Sequence, residues 1–170
     1  QSKEDIRNAD KVVFPGVGAF KSAIDKLKDL DLIDTIRETA NSNKPFFAIC
    51  VGYQLLFESS EEGGNIAGLG LIKGTVKKFT SEKVPQIGWN SLNIVKPNPL
   101  FDGINNGDHV YFCHSYYVDT PDTDAITTQT EYGINYTSSI CKNNLYGVQF
   151  HPEKSQKVGL RVLENFVIKI

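Results

Sequence analysis

The chain has 170 residues, of which 40% are hydrophobic, and this size and composition predict a single domain with one full core. A formal net charge of −2 and scattered lysines exclude the basic surface expected of a nucleic-acid-binding protein. No apolar run approaches the length of about 18 residues that a membrane span needs. We therefore expect no membrane partner and a cytoplasmic protein.

The cysteine content argues against metal and disulfide chemistry. Cys50, Cys113 and Cys141 cannot all pair, and their spacing matches neither a CxxC redox motif nor a zinc site. We therefore expect reduced thiols, no metal site and no cofactor.

Strand and helix patterns alternate in the first third of the chain. Residues 12–14 are typical of a short strand, which leads through a glycine-rich turn at 15–18 into a helix up to about Leu30. A second helix is predicted over 32–40, followed by a buried strand over 45–50 and then a further helix. This order predicts a parallel sheet with ligands bound beyond the carboxyl ends of its strands.

The rest of the chain has a different sequence pattern, in which short apolar segments are separated by residues typical of turns. Strands are predicted over 69–79, 86–95, 110–118, 125–130, 138–141 and 145–150, and a closing helix over 155–168. This part therefore predicts mostly antiparallel or mixed sheet.

Cys50 lies at a predicted corner between a strand and a helix. Such a corner pushes a nucleophile out of the sheet and places its sulfur near the first free N–H groups of the helix, which stabilise a thiolate. The alternative is a small buried hydrophobe that ends a core strand, the commoner fate of a lone cysteine. The neighbouring motifs have to decide between the two.

A cysteine nucleophile needs a base, and the chain has three histidines. His114 adjoins Cys113 in a predicted strand and so faces the opposite way, while His109 opens that strand after a turn. His151 ends an apolar strand and precedes a proline, which favours an extended backbone. Glu153 then lies on the same side as His151 and is suited to orient its ring.

The glycine-rich turn offers backbone donors. Gly16 and Gly18 allow the amides around Val17 to face a ligand, and together with the amide of Val51 these donors suit an oxyanion hole. The alternative is a tight turn that only starts a helix.

Three motifs together resemble the signatures of class I glutamine amidotransferases, namely AICVGYQ at 48–54, PGVG at 15–18 and VQFHPE at 148–153. Further motifs at 60–63, 68–72, 84–90, 111–116 and 153–155 are similar to the glutaminase subunits of imidazole glycerol phosphate synthase. The resemblance runs from Ala9 to the C-terminus. It implies one amidotransferase domain over 1–170 with an α/β fold, a three-layer open mixed, mainly parallel sheet flanked by helices around a flavodoxin-like core.

The resemblance also implies an activity, the hydrolysis of L-glutamine to glutamate and ammonia through a thioester on Cys50. His151 would be the general acid and base, Glu153 its orienting group, and the backbone of Val17 and Val51 the oxyanion hole. The residues matching the family's glutamine site are Gly16, Gly18, Gly52, Gln54, Glu62, Ser115 and Tyr116. Among these we expect Glu62 to bind the substrate ammonium group.

A partner is implied as well. In this family a (β/α)8-barrel cyclase subunit forms a heterodimer with the glutaminase and uses the ammonia to make imidazole glycerol phosphate and aminoimidazole carboxamide ribotide in histidine biosynthesis. Trp89, Asn90, Tyr111 and Lys154 match positions near that interface. We expect low activity of the isolated chain until the partner sets the loop around Val17.

The chain departs from the family pattern in several places. Val51 and Tyr53 stand where Leu and Met are common, and a Gln-Ile pair at 86–87 stands where His-Met is usual. The family begins with a strand and a helix of about 30 residues before this point, so we expect that N-terminal unit to be missing from this sequence.

Three alternatives stay open from the residues alone. One is a paralogous glutaminase that feeds a sugar amidotransferase. A second is a Cys-His peptidase or γ-glutamyl hydrolase, which Gln54 and Glu62 disfavour. The third is a non-catalytic regulatory subunit, which an intact triad disfavours.

Overall fold

The computed structural model describes residues 2–80 and 82–170. Its helices are α1 Lys3–Asn8, α2 Phe20–Asp29, α3 Ile33–Ala40, α4 Val51–Leu55 and α5 Gln156–Lys169. Its strands are β1 Val12–Gly16, β2 Phe46–Cys50, β3 Phe57–Ser60, β4 Ile66–Ala67, β5 Ile72–Lys78, β6 Gln86–Ser91, β7 Asn93–Ile94, β8 His109–His114, β9 Tyr116–Asp119, β10 Ile126–Glu131, β11 Asn135–Lys142 and β12 Leu145–Val148.

Three parallel strands form the part of the sheet that carries the predicted site. β2 lies between β1 and β12 and is parallel to both, with Cys50 opposite Gly16 and Ile49 opposite Val148. The carboxyl ends of the three strands therefore meet at one edge. This arrangement brings together segments that are far apart in sequence, as a parallel sheet does.

The sheet continues beyond β12 as a mixed structure, in the order β1-β2-β12-β11-β9-β5-β3-β4, and β10 pairs with β11 and β7. β6 and β8 form a separate antiparallel ribbon. Helices flank the sheet, and the fold class predicted from the sequence is confirmed.

The core explains why these segments form these elements. All five residues of β2 are buried, as expected for a central strand that is covered on both faces. The amphipathic helices bury their apolar faces in the same core, α2 through Ile24 and Leu27 and α5 through Val162 and Phe166. The rings of Phe47 and Phe166 lie 5.0 Å apart between β2 and α5.

Two predicted strands are each divided in the structure. The segment 86–95 pairs first with β8 in the ribbon and then, as β7, with β10 in the main sheet, so the chain changes sheets at the buried Leu92. The segment 110–118 does the same at Ser115, since β8 pairs with β6 and β9 pairs with β5 and β11. The sequence pattern indicates a strand in each segment but does not show that the strand changes its pairing partner.

The helix after Cys50 is shorter than its apolar pattern predicts. It ends at Leu55, because the carbonyl groups of Leu55, Leu56 and Phe57 accept hydrogen bonds from the backbone of 69–72. The chain therefore turns into β3 at Phe57. Within 2–80 and 82–170, no helix combines the length and apolarity needed to cross a membrane.

Candidate active site

Cys50 adopts a strained backbone conformation at the corner between β2 and α4. Its φ of 55° and ψ of −111° place a non-glycine residue in a sparsely populated region, as is typical of functional corners. The residue ends a parallel strand and precedes the first helical residue, Val51. The strand-to-helix corner predicted from the sequence is thus present.

Two glycines let the corner pack against the end of β1. A Cβ on Gly16 would lie 2.5 Å from the backbone nitrogen of Gly52. A Cβ on Gly52 would overlap the carbonyl oxygen of Phe14. Backbone therefore touches backbone here, so Gly16 and Gly52, two of the three predicted substrate-site glycines, lie beneath the corner and not in the wall of the cavity at the strand ends.

His151 is held by the strand end and by a buried serine. Its N–H donates to the Tyr111 carbonyl at 2.9 Å, and its own carbonyl accepts from Ser155 Oγ at 2.6 Å. Ser155 Oγ also accepts from the Tyr111 N–H at 2.9 Å, which closes the network. The imidazole is buried, and its Nδ1 lies 2.8 Å from Glu153 Oε1.

The carboxylate fixes the state of the ring. Because Glu153 only accepts hydrogen bonds, the proton on the neutral His151 ring belongs on Nδ1, and Nε2 is left free as a base. Half of the Glu153 side chain is exposed to solvent. The predicted pairing of base and orienting group is therefore present in the structure.

A cavity of about 360 Å³ opens at the carboxyl ends of the strands. Most of the predicted site residues line it: Val17, Gly18, Cys50, Val51, Gln54, Glu62, Ser115, Tyr116, His151 and Lys154. Pro85, Cys113 and His114 also line it and were not predicted. The convergence of three separate motifs on one site, expected from the order of elements, is thus observed in the geometry.

Glu62 is anchored at the start of α2. Its Oε2 accepts a 2.8 Å hydrogen bond from the N–H of Phe20, the first residue of that helix, and its own N–H donates to Ser60 Oγ at 3.1 Å. The positive end of a helix favours a carboxylate at this position. Glu62 therefore presents a fixed negative charge to the cavity.

Burial dominates the acidity of Cys50. Removal of the sulfur from water raises the pKa of the Cys50 thiol to about 12, and the nearby Cys113 and Glu153 act in the same direction. The Val51 N–H and the charge of Lys154 lower the pKa, but by less. Burial therefore outweighs the expected stabilisation as a thiolate at the start of the five-residue helix α4. Cys50 rests as a neutral thiol and needs a base.

The predicted interface residues cluster beside the cavity, apart from one. Lys154 Nζ lies 5.8 Å from the centre of the Tyr111 ring, which in turn lies 6.2 Å from the Trp89 ring. Trp89 is 46% exposed. Asn90 uses its amide within the chain, donating to the Glu131 carbonyl at 2.8 Å.

Two buried polar residues near the site were missed. Ser155 organises the backbone of His151, and Gln149 lies with its Nε2 3.9 Å from Cys50 Sγ. The signal for Gln149 was a polar residue in the middle of an apolar strand, where burial demands partners. In the part of the chain that the structure describes, no three His, Cys, Asp or Glu residues are grouped to hold a metal ion.

Comparison with solved structures supports the fold. The crystal structure of a glutamine amidotransferase superposes with a TM-score of 0.72 at 15% identity, covering 98% of this chain and 84% of that one. The structure of PurLQS from Thermotoga maritima gives a TM-score of 0.68 at 16% identity, with 91% of this chain and 78% of that one covered. At these identities the likeness shows the shared fold alone.

Sequence comparison identifies the family. The family model described as glutamine amidotransferase class-I matches residues 1–170. The imidazole glycerol phosphate synthase subunit HisH of Methanocaldococcus jannaschii is 50% identical over 167 residues, covering 98% of this chain and 84% of the relative. The subunit of the same name from Pyrococcus furiosus is 49% identical, with 95% and 83% covered. The chain therefore belongs to the class I glutamine amidotransferases, among the HisH glutaminase subunits of imidazole glycerol phosphate synthase, which act in histidine biosynthesis.

Proposed function

We propose that Cys50, His151 and Glu153 carry out the glutaminase reaction on L-glutamine bound in the 360 Å³ cavity. The observation that carries the assignment is that Cys50 and His151 line one cavity while Glu153 holds Nδ1 of the same imidazole. The match of the family model to residues 1–170 supports one amidotransferase domain. The reaction needs a free thiol at Cys50, which supports a reducing compartment, the cytoplasm.

The first half of the reaction forms a thioester. Nε2 of His151 takes the proton from Cys50 Sγ, and the sulfur attacks the side-chain amide carbon of glutamine. The carbonyl oxygen becomes an oxyanion, for which the backbone N–H groups of Val51 and Val17 are the donors. When the C–N bond breaks, His151 returns the proton to the leaving nitrogen, and ammonia departs.

The second half releases glutamate. His151, again neutral, takes a proton from water as the water oxygen attacks the thioester carbon. The C–S bond breaks, and the sulfur recovers a proton from His151. Glu153 holds the ring in one tautomer throughout and stabilises the imidazolium that forms twice per turnover.

Substrate orientation follows from the charges of the cavity wall. Glu62, fixed by the Phe20 N–H, binds the α-ammonium group of glutamine. Gln54, Ser115 and Tyr116 line the same cavity and supply polar contacts along the substrate. Gly16 and Gly52 contribute by allowing the backbone around the corner to approach closely, and Gly18 contributes through its φ of 91° in the loop that lines the cavity.

The surface made by Trp89, Tyr111 and Lys154 is the proposed contact for a (β/α)8-barrel cyclase subunit. An exposed Trp beside a cation–π pair is the composition typical of binding hot spots. This surface adjoins the cavity, because Lys154 belongs to the surface and also lines the cavity, together with His151. Val17 also lines the cavity and is 80% exposed, so a partner seated there can set its loop.

A glutamate-release assay tests the function. The purified chain is measured with and without the cyclase subunit of the same organism, and we expect low activity alone and higher activity in the complex. Cys50→Ala should abolish glutamate release, while Cys113→Ala should retain it. Equal turnover with and without the cyclase would contradict the dependence on the partner, and activity in Cys50→Ala would contradict the assigned nucleophile.

A further inference from the structure

We infer that Gln149 is a catalytic residue of the glutaminase reaction, whose side-chain amide donates to the Cys50 sulfur and stabilises the thiolate. Gln54 is then a positioning residue that points this amide at the sulfur. The inference deepens the proposed function, because it takes Cys50 as the nucleophile.

The position of Gln149 in the core calls for an explanation. Its side chain is completely buried, and its neighbours in sequence, Val148 and Phe150, are buried and apolar. A buried amide without partners costs free energy, so its contacts should account for its presence. Those contacts are Gln54 on one side and the sulfur of Cys50 on the other, with Nε2 lying 3.9 Å from Sγ.

Hydrogen bonding decides which end of each amide faces its neighbour. Gln54 Nε2 lies 2.9 Å from the Tyr116 carbonyl oxygen and 2.9 Å from Gln149 Oε1. A backbone carbonyl only accepts, so Gln54 must present its nitrogen there. The second proton of that nitrogen goes to Gln149, which must present its oxygen to Gln54. Nε2 of Gln149 is thereby left for the sulfur.

The Tyr116 carbonyl is itself fixed by a buried histidine. His114 Nδ1 lies 2.7 Å from this oxygen, so the neutral ring carries its proton on Nδ1. Burial lowers the pKa of His114 to about 4, so the ring is neutral at pH 7. Two donors, from His114 and Gln54, thus converge on one carbonyl oxygen, which keeps the Gln54 amide in a single orientation.

The hydrogen bonds on the far side of His114 agree with a proton on its Nδ1. Tyr136 Oη lies 3.3 Å from His114 Nε2 and 3.0 Å from the amide of Gln86. His114 Nε2 carries no proton, so Tyr136 should donate to it, and the Gln86 amide should present its nitrogen to Tyr136. That orientation also gives Gln86 Nε2 a partner, which it lacks among the described residues when Oε1 faces Tyr136.

The chemistry of Cys50 explains why such a donor is useful. Burial is the main cause that raises the pKa of the thiol to about 12, and the nearby Cys113 and the Glu153 carboxylate act in the same direction. A neutral N–H aimed at the sulfur favours the thiolate over the thiol without adding a cation that would compete with protonation of His151. The 3.9 Å separation is long for the resting thiol and should shorten when the sulfur becomes charged.

Alkylation of Cys50 by iodoacetamide tests the inference without glutamine. The thiolate displaces iodide, so the rate reports the thiolate fraction. The full chain carrying Cys113→Ser and Cys141→Ser has Cys50 as its only thiol. In that background, Gln149→Met should slow alkylation by about 10- to 100-fold between pH 7 and 9, which displaces the plot of log rate against pH by about one to two pH units.

Two controls separate the inference from general damage. Gln129→Met removes another strand glutamine, one that accepts from Asn135 at 3.0 Å away from the site, and should leave the alkylation rate unchanged. Gln54→Met leaves Gln149 in place but frees its amide to turn. Added to the chain with Cys113→Ser and Cys141→Ser, Gln54→Met should slow alkylation of Cys50. Added to the same chain that also carries Gln149→Met, it should have no further effect.

Each outcome bears on the inference. A folded Gln149→Met chain that alkylates at the unsubstituted rate overturns it. If Gln149→Met fails to fold by circular dichroism, the Gln54→Met rate decides, and an unchanged rate there also overturns it. Failure of the glutaminase function would show instead as absent glutamate release, while the effect of Gln149→Met on alkylation persists.

Discussion

The backbone N–H of Phe20 donates a 2.8 Å hydrogen bond to Glu62 Oε2, so the first turn of α2 holds the carboxylate that faces the cavity. The helix and the loop at Glu62 are 42 residues apart in sequence. Because α2 begins directly after the glycine loop, the same helix start organises both the Val17 loop and the proposed ammonium site. The negative charge is therefore placed with little freedom to move.

Removal of this charge should weaken substrate binding. Glu62→Gln retains an oxygen for the Phe20 N–H but loses the charge-assisted contact to the substrate ammonium group, so we expect KM for glutamine to rise about 10- to 100-fold. Steady-state glutamate release measures this change. Glu61→Gln is the matched control, because the Glu61 carboxylate accepts from the Lys78 N–H on the exposed side and should leave KM unaltered. Equal effects of the two substitutions would contradict the assignment.

Loss of the Glu153 charge should lower kcat. In Glu153→Gln the amide oxygen can still face His151 Nδ1, but the imidazolium loses its compensating charge, so we expect kcat to fall about 10- to 100-fold with little change in KM. The loss is moderated by solvent, since half of Glu153 is exposed. The control is Glu164→Gln in α5, which breaks an exposed pair with Arg161 and should keep the original kcat. An unaltered kcat in Glu153→Gln would remove Glu153 from the mechanism.

Tyr53, which stands where the family commonly has Met, has a steric partner in Gly147. A Cβ at Gly147 would lie 2.5 Å from Tyr53 Cδ2, and Tyr53 Oη donates to the Thr137 carbonyl at 3.1 Å. We expect Gly147→Ala to lower the free energy of unfolding by about 1–3 kcal/mol through overpacking. Urea unfolding of Gly147→Ala, Tyr53→Met and the double variant measures the coupling. The double variant should recover part of the loss, and strictly additive losses would contradict a steric cause.

Acid should destabilise the protein through His114. The folded-state pKa of His114 is lowered from 6.5 to about 4 by burial, so the unfolded chain binds the proton more readily between these values. The contribution of His114 to stability is therefore complete above pH 6.5 and is lost as the pH falls through this window, by up to about 3 kcal/mol. Urea unfolding at pH 7 and pH 4.5 should show a smaller acid loss for His114→Gln than for the unsubstituted chain. His109→Gln, at an exposed histidine, should retain the full loss.

The proposed partner surface can be tested apart from catalysis. Trp89→Ala should weaken binding of the cyclase subunit by about 30-fold or more, because a partly exposed aromatic anchor would lose its partner contacts. Isothermal titration with the purified cyclase measures the Kd. Leu160→Ala removes a side chain that is 61% exposed on α5 and should leave the Kd unchanged. If Leu160→Ala weakens binding and Trp89→Ala does not, the cyclase binds at another face.

Local sequence patterns were enough to predict several residues of the candidate site. The switch of hydrophobic period at Cys50, the extended His151 before a proline, and the glycine turn around Val17 are each signals within a few residues, and the resemblance to glutaminase subunits that they support is confirmed by the comparisons. The roles of the individual residues stay predictions. The fold class also followed from the order of strands and helices, because that order restricts the sheets a chain can form.

Other features depend on which segments become neighbours. Cys50 and Gln149 are 99 residues apart, and only the pairing of β2 with β12 places an amide beside the sulfur. The raised pKa of Cys50 likewise reflects how completely the assembled core removes the sulfur from water. The change of sheet at Leu92 and Ser115 is invisible to hydropathy, since the pattern of a strand does not say which other strand it pairs with.

The sequence by itself therefore determined the order of elements, the family and the residue types available for catalysis, because these depend on local periodicity and on motifs of a few residues. Only the tertiary structure decided the neutral resting state of Cys50 and the direction of the hydrogen bonds that reach its sulfur. Burial and hydrogen-bond direction arise from contacts between distant segments, and a linear pattern does not contain them.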